Sequence, residues 1–310
     1  MAKKQAKARV KKPTKTTEAA INITPRRIKP AKPKFTSAFQ LFASAILIIR
    51  QHWRLFFGIT LVYGLLSIVL VRGIGGGIDL SSLKTSLKGG LGGNYGELAT
   101  GAALFSYLLG SSGSSSTAAG STYQTMLTII MSLVVIWALR QVFANKAIRV
   151  RDAFYKGMYP LVPFILVLLV IGLQLIPLAI GSWLYSTVTG TGIAASGLEK
   201  TLWVFVFFLL ALASLYMLCS SLFALYIVTL PDMTPLKALR SARQLVRHRR
   251  FLLLRKILFL PLALLVVGAI IMIPLILFIT PLAQWVFFAM SMVVLVLVHS
   301  YMYTLYRELI

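Results

Sequence analysis

Eight lysines and arginines fall between Lys237 and Lys256. At about 100° per residue, Lys237, Arg240, Arg243, Arg247 and Arg250 share one side of a helix. Guanidinium and ammonium groups so placed do one chemistry well, which is to hold phosphate oxygens. The opposite arc, Ala238, Leu239, Ala242, Leu245 and Val246, is apolar. Thr234-Pro235 supplies an N-cap residue followed by proline at the first helical position. Such a helix is expected to lie in the headgroup plane with its apolar arc toward hydrocarbon. Arg249, on that arc, must snorkel or pair. Two readings stand: capture of an anionic lipid by its phosphate, or the orienting charge that any multi-span protein carries.

Other polar groups support less. Gln174 lies three residues before Pro177, and a proline frees a backbone carbonyl that needs a partner. Gln174 can therefore contact a solute or hydrogen-bond a neighbouring helix. Pro177 and Pro274 are the expected kinks of a transport path, if there is one. His299, beside Tyr301, Tyr303 and Tyr306, reads as a satisfied interfacial residue rather than a base or ligand. The seven acidic residues, Glu18, Asp79, Glu97, Asp152, Glu199, Asp232 and Glu308, all avoid the expected hydrocarbon core. Coupled transporters place ionisable groups there, so their absence argues against ion or proton coupling. The single cysteine, Cys219, excludes an intramolecular disulfide, and no Cys/His metal spacing occurs. With no paired carboxylates and no Ser/His/Asp set, neither an enzyme nor a cofactor is expected.

The elements that position these residues are legible from charge and hydropathy. The chain is 58% apolar and has a mean hydropathy of +0.84. Between Ile257 and Tyr306 there is no Lys, Arg, Asp or Glu. About 20 helical residues cross about 30 Å of hydrocarbon. Six spans follow, near 55–72, 123–143, 161–185, 202–230, 257–279 and 282–306, with Thr280-Pro281 turning between the last two. The net charge of +25 would suit nucleic acid, but its placement argues for a membrane. Of the 32 Lys/Arg, 28 lie in alternate segments, the positive-inside asymmetry that puts both termini in the cytoplasm. Trp53, Trp183, Trp203 and Trp285 fall at span ends as an aromatic belt, and Trp137 is the exception. The expected location is a bacterial cytoplasmic membrane. A cleavable signal peptide is not expected, because no apolar stretch follows the basic start.

Residues 1–34 read as a disordered basic cytoplasmic tail. Residues 73–121 read as a Gly/Ser-rich external loop. Residues 35–310 form the six-helix membrane domain, opening on an interfacial helix from Phe35 to Arg54. Two internal matches point to repetition. Ser44-Ala45-Ile46-Leu47-Ile48-Ile49-Arg50 aligns with Ser241-Ala242-Arg243-Gln244-Leu245-Val246-Arg247. Leu173-Gln174-Leu175-Ile176-Pro177-Leu178 aligns with Ile270-Ile271-Met272-Ile273-Pro274-Leu275. The fold class is thus an all-α integral membrane protein of three parallel repeats, each a cytoplasmic interfacial helix followed by a transmembrane hairpin.

The run Thr234-Pro235-Leu236-Lys237-Ala238-Leu239-Arg240-Ser241-Ala242-Arg243-Gln244-Leu245-Val246-Arg247 resembles the segment before the fifth helix in a group of bacterial six-span proteins. That group includes the membrane domain fused to some glycerophosphodiester phosphodiesterases, and stand-alone relatives. Tyr303-Thr304-Leu305-Tyr306-Arg307-Glu308-Leu309 is similar to its closing Tyr-rich segment. The resemblance covers about residues 35–310 and implies a six-helix fold without an activity, since hydrolysis in the fused proteins belongs to a separate barrel. The expected function is a non-enzymatic membrane module: a scaffold, an anchor or an anionic-lipid-interacting protein. The expected partners are membrane lipids and a membrane or cytoplasmic protein. The alternative is a passive or partner-powered transporter of an apolar or lipid-like solute.

Overall fold

The computed structural model describes residues 36–72, 118–191, 196–247 and 249–310, with Thr85 and Gly89 as isolated positions. The expected tail of residues 1–34, most of the expected loop 73–121 and His248 lie outside the described residues. Among the described residues every regular element is helical.

Ser37 caps α1 (Ala38–Gln51): its hydroxyl accepts the Gln40 N–H at 3.2 Å, and the Gln40 side chain accepts the Ser37 N–H at 3.1 Å. The chain breaks at His52 and restarts as α2 (Trp53–Ser67), which runs on into a π-helical turn, Ile68–Arg72. Then come α3 (Ala118–Phe143), the short α4 (Val150–Gly157), α5 (Leu161–Gln174) and α6 (Ile176–Gly190). Next are α7 (Gly197–Ser221), α8 (Ala224–Ile227) and α9 (Pro235–Val246). The chain closes with α10 (Arg250–Phe278) and α11 (Thr280–Leu309). Pro281 lies in the first turn of α11, where its missing N–H costs nothing, and this turn falls where Thr280-Pro281 was expected.

Six helices are long and apolar enough to cross a membrane: Trp53–Val71, Gly120–Phe143, Leu161–Gly190, Gly197–Ile227, Arg250–Ile276 and Leu282–Leu309. They mark an integral membrane protein. Span five starts seven residues before the uncharged run, because α10 takes Arg250, Arg255 and Lys256 into its first two turns. Arg255 holds its head in water, Arg250 lies on Tyr216 and Lys256 pairs with Glu308, so the helix carries all three and the loss of charge does not mark where it begins. Many large apolar side chains face outward, among them Phe205, Phe208, Leu262 and Ile270. An outward apolar surface of that extent has hydrocarbon as its solvent.

Three helices too short to cross a membrane stand directly before spans: α1 before span one, α4 before span three, and α9 before span five. The first packs mainly on α11, with the Ser300 hydroxyl donating to the Ala45 carbonyl at 3.3 Å. The middle one, α4, packs on α3 and has no counterpart in the sequence reading by residue number. Each short helix buries a small residue completely against the spans: Ala45, Ala153 and Ala242 are each 0% exposed.

Candidate functional site

Thr234 caps α9 as its sequence implies, with its hydroxyl accepting the Lys237 N–H at 3.4 Å. Ala238, Ala242 and Val246 are each 0% exposed and Leu239 is buried, whereas Lys237, Arg240, Arg243 and Arg247 are exposed. The periodicity therefore separates the two faces correctly. The expectation that the apolar arc of α9 turns to hydrocarbon is not met. That face is covered by α5, α7 and α8 rather than turned to hydrocarbon. A twelve-residue amphipathic stripe loses its water equally well to protein or to lipid, so hydrophobic period cannot distinguish them.

Arg250 does not join the other four cations. It opens α10, and its guanidinium lies 4.5 Å above the Tyr216 ring of α7, a cation–π geometry. No acidic residue occurs on α9, so its three exposed cations and Arg247 at its C-cap form a stripe with no carboxylate of that helix to neutralise it.

A cleft of about 970 Å³ opens beside the start of α9. Trp137, Arg140, Tyr155, Lys156, Tyr159 and Thr234 are among its walls. Trp137, which the sequence set apart from the expected aromatic belt, is there because Gly157 brings α4 against α3: a Cβ on Gly157 would lie 3.1 Å from the Val134 Cα. The Arg140 guanidinium donates to the Thr229 carbonyl at 2.8 Å, tying span two to the segment that enters α9. Sequence alone does not unite these residues, since they come from three separate stretches of chain.

Behind the cleft the spans close on polar side chains. Tyr226 and His299 share a hydrogen bond of 3.1 Å between the hydroxyl and Nδ1, and both side chains are buried. Tyr226 also stacks on Tyr306 with centroids 6.1 Å apart. His299 is thus a partnered core group. Lys256 and Glu308 form an ion pair at 2.9 Å, and the Thr36 hydroxyl donates to the same carboxylate.

The proline-bearing residues are placed apart. Span three breaks at Leu175, between α5 and α6, with Pro177 in the first turn of α6. The Gln174 carbonyl, left over at the break, accepts the Ser214 hydroxyl of α7 at 2.6 Å. Gln174 is buried, and its side-chain Oε1 has no hydrogen-bond partner. Pro274 sits within the unbroken α10 and is exposed on its outer side. The two prolines consequently occupy equivalent sequence motifs but unlike environments. Among the described residues no cluster of three or more His, Cys, Asp or Glu side chains is placed to hold a metal. No family model matches this chain, and neither a curated protein nor a solved structure does.

Proposed function

We propose that this protein is a non-enzymatic membrane module that gathers anionic lipid at the cytoplasmic face through the cationic stripe of α9. One observation carries the reading. Because α9 spends its apolar face on α5, α7 and α8, Lys237, Arg240, Arg243 and Arg247 are held outward on a fixed helix. Each such charge contributes about 1 kcal/mol near an anionic surface. Arg250, seated on Tyr216, contributes to the fold more than to the stripe. On this reading the short helices α1, α4 and α9 each open one of three parallel repeats, with both termini inside a bacterial cytoplasmic membrane. The matching burial of Ala45 and Ala242, at equivalent places in the aligned motifs, supports the repetition. The resemblance to the membrane domain fused to glycerophosphodiester phosphodiesterases implies a six-helix fold without an activity, which is compatible with this reading. A membrane or cytoplasmic protein partner is compatible with the same face; nucleic acid is not invoked.

The test is lipid retention after purification in mild detergent. Replacing Lys237, Arg240, Arg243 and Arg247 together by Gln is expected to weaken binding to vesicles rich in phosphatidylglycerol by roughly a thousandfold while insertion survives. Unchanged preference over phosphatidylcholine would overturn the reading.

A second reading, passive passage of an apolar or lipid-like solute, rests on the partnerless Gln174 Oε1 beside the Leu175 break. Cysteines placed at Gln174 and Leu178 would react with a water-soluble thiol reagent if that break lines a wet path. Protection of both would dismiss the path.

A further inference from the structure

A second cleft, of about 800 Å³, lies at the opposite end of α4 and takes no part in the proposed site. One wall is the junction of α1 and α2, from Gln51 to Leu55, and the other is the link between α3 and α4, from Asn145 to Val150. Arg54, Lys146 and Arg149 line it, and all three are exposed. Among the described residues no carboxylate forms an ion pair with their side chains. The nearest acid on α4, Asp152, is engaged with the Arg149 backbone N–H at 3.4 Å. His52 lines the same cleft, and its buried Nδ1 has no hydrogen-bond partner.

Two helices also begin here. α2 starts at Trp53 with His52 at its N-cap, and α4 starts at Val150 with Arg149 at its N-cap. Neither cap has the hydroxyl that Ser37, Ser196 and Thr234 provide to α1, α7 and α9. The first-turn N–H groups of a helix have no intrahelical acceptor and carry partial positive charge, which draws anions. At α2 that charge is opposed by the C-terminal end of α1, which shares His52 as its cap, and at α4 by the Asp152 carboxylate, so the pull on an anion comes from the three cations, with a partnerless imidazole nitrogen beside them.

The arrangement is built rather than incidental. Asn145 takes the left-handed conformation at φ 52°, and the Lys146 N–H returns to the Gln141 carbonyl at 3.1 Å. That turn sets Lys146 on the rim. On the other side Gly58 lets α2 approach α4 so closely that a Cβ there would lie 2.7 Å from Val150 Cγ2.

We propose that this cleft binds the phosphate of an anionic headgroup, contacted by Arg54, Lys146 and Arg149. Trp53 borders it, 56% exposed, at the first residue of span one. An amphipathic ring in that place belongs at headgroup depth, which favours a lipid phosphodiester over a free phosphate compound.

Native mass spectrometry of the full chain in mild detergent tests this, with phosphatidylglycerol, phosphatidylcholine and glycerol 3-phosphate as probes. Arg54, Lys146 and Arg149 are changed together to Gln in one variant, and Lys237, Arg240, Arg243 and Arg247 in another. The parent is expected to hold two phosphatidylglycerols, one at the α9 stripe and one in this cleft, of which the cleft variant loses the second by at least tenfold in affinity, with phosphatidylcholine unaffected. Lys146→Gln alone, a rim substitution that the fold tolerates, is expected to weaken it several-fold. Persistence of the lipid in the presence of millimolar glycerol 3-phosphate identifies a lipid ligand; displacement identifies a soluble phosphate ligand. Loss only in the α9 variant would overturn this site and leave the α9 reading intact. Loss only in the cleft variant would do the reverse, and binding unchanged in both would overturn both.

Discussion

The hydroxyl of Ser214 marks how a helix break is tolerated within apolar surroundings. A carbonyl without a donor is costly where no water can reach it, and the Gln174 carbonyl would be one without the bond from Ser214. Ser214→Ala is therefore expected to lower stability by about 1 kcal/mol, in the range of hydrogen bonds between membrane helices, as read from thermal unfolding in detergent. Lys256 and Glu308 are a stronger case, because Lys256 is 5% exposed and carries its charge inside the helix bundle. Removing one member of a buried pair leaves the other uncompensated. Glu308→Gln should cost about 3 kcal/mol in the same measurement, whereas replacing both with apolar residues of similar size should recover most of it. Neither partner was visible as a partner in the sequence, since they are 52 residues apart and no local pattern links them.

At the scale of elements, glycine fixes two of the contacts that matter. Val150 is β-branched and stiff at χ1, so it cannot turn away from a Cβ on Gly58. Gly58→Ala is expected to destabilise by about 2 kcal/mol through overpacking. Adding Val150→Ala in the same chain should restore most of that loss, a coupling that a double-mutant cycle measures directly. The element boundaries were legible where chemistry changes sharply: Thr234-Pro235 for α9 and Thr280-Pro281 for α11. They were less legible at span five, where Arg250, Arg255 and Lys256 belong to the helix that the uncharged run continues. The short α4 was missed by residue number, because eight residues containing Arg151, Asp152 and Lys156 have too little apolar surface to announce a helix. Packing of Ala153 and Gly157 against α3 makes it one.

For the molecule as a whole, the distribution of cations makes an orientation testable. In intact cells, a cysteine at Leu236 should resist a membrane-impermeant thiol reagent, and one at Leu198 should react. Both side chains are among the most exposed apolar residues, and the native Cys219 is buried, so it should remain silent in both variants. The opposite labelling pattern would invert the topology.

The sequence by itself determined the number of spans, the turn at Thr280-Pro281 and the two faces of α9. These are local properties, set by hydropathy over about 20 residues, by proline's missing N–H and by a period of 3.6. Only the tertiary structure decided that α9 lays its apolar face on protein, that Arg250 leaves the stripe for Tyr216, and that Pro177 and Pro274 meet different surroundings. It alone brought Arg54 to Lys146 and Arg149. Burial by protein and burial by lipid satisfy the same apolar pattern, and a cation's partner is chosen by distance in space; a one-dimensional pattern holds neither.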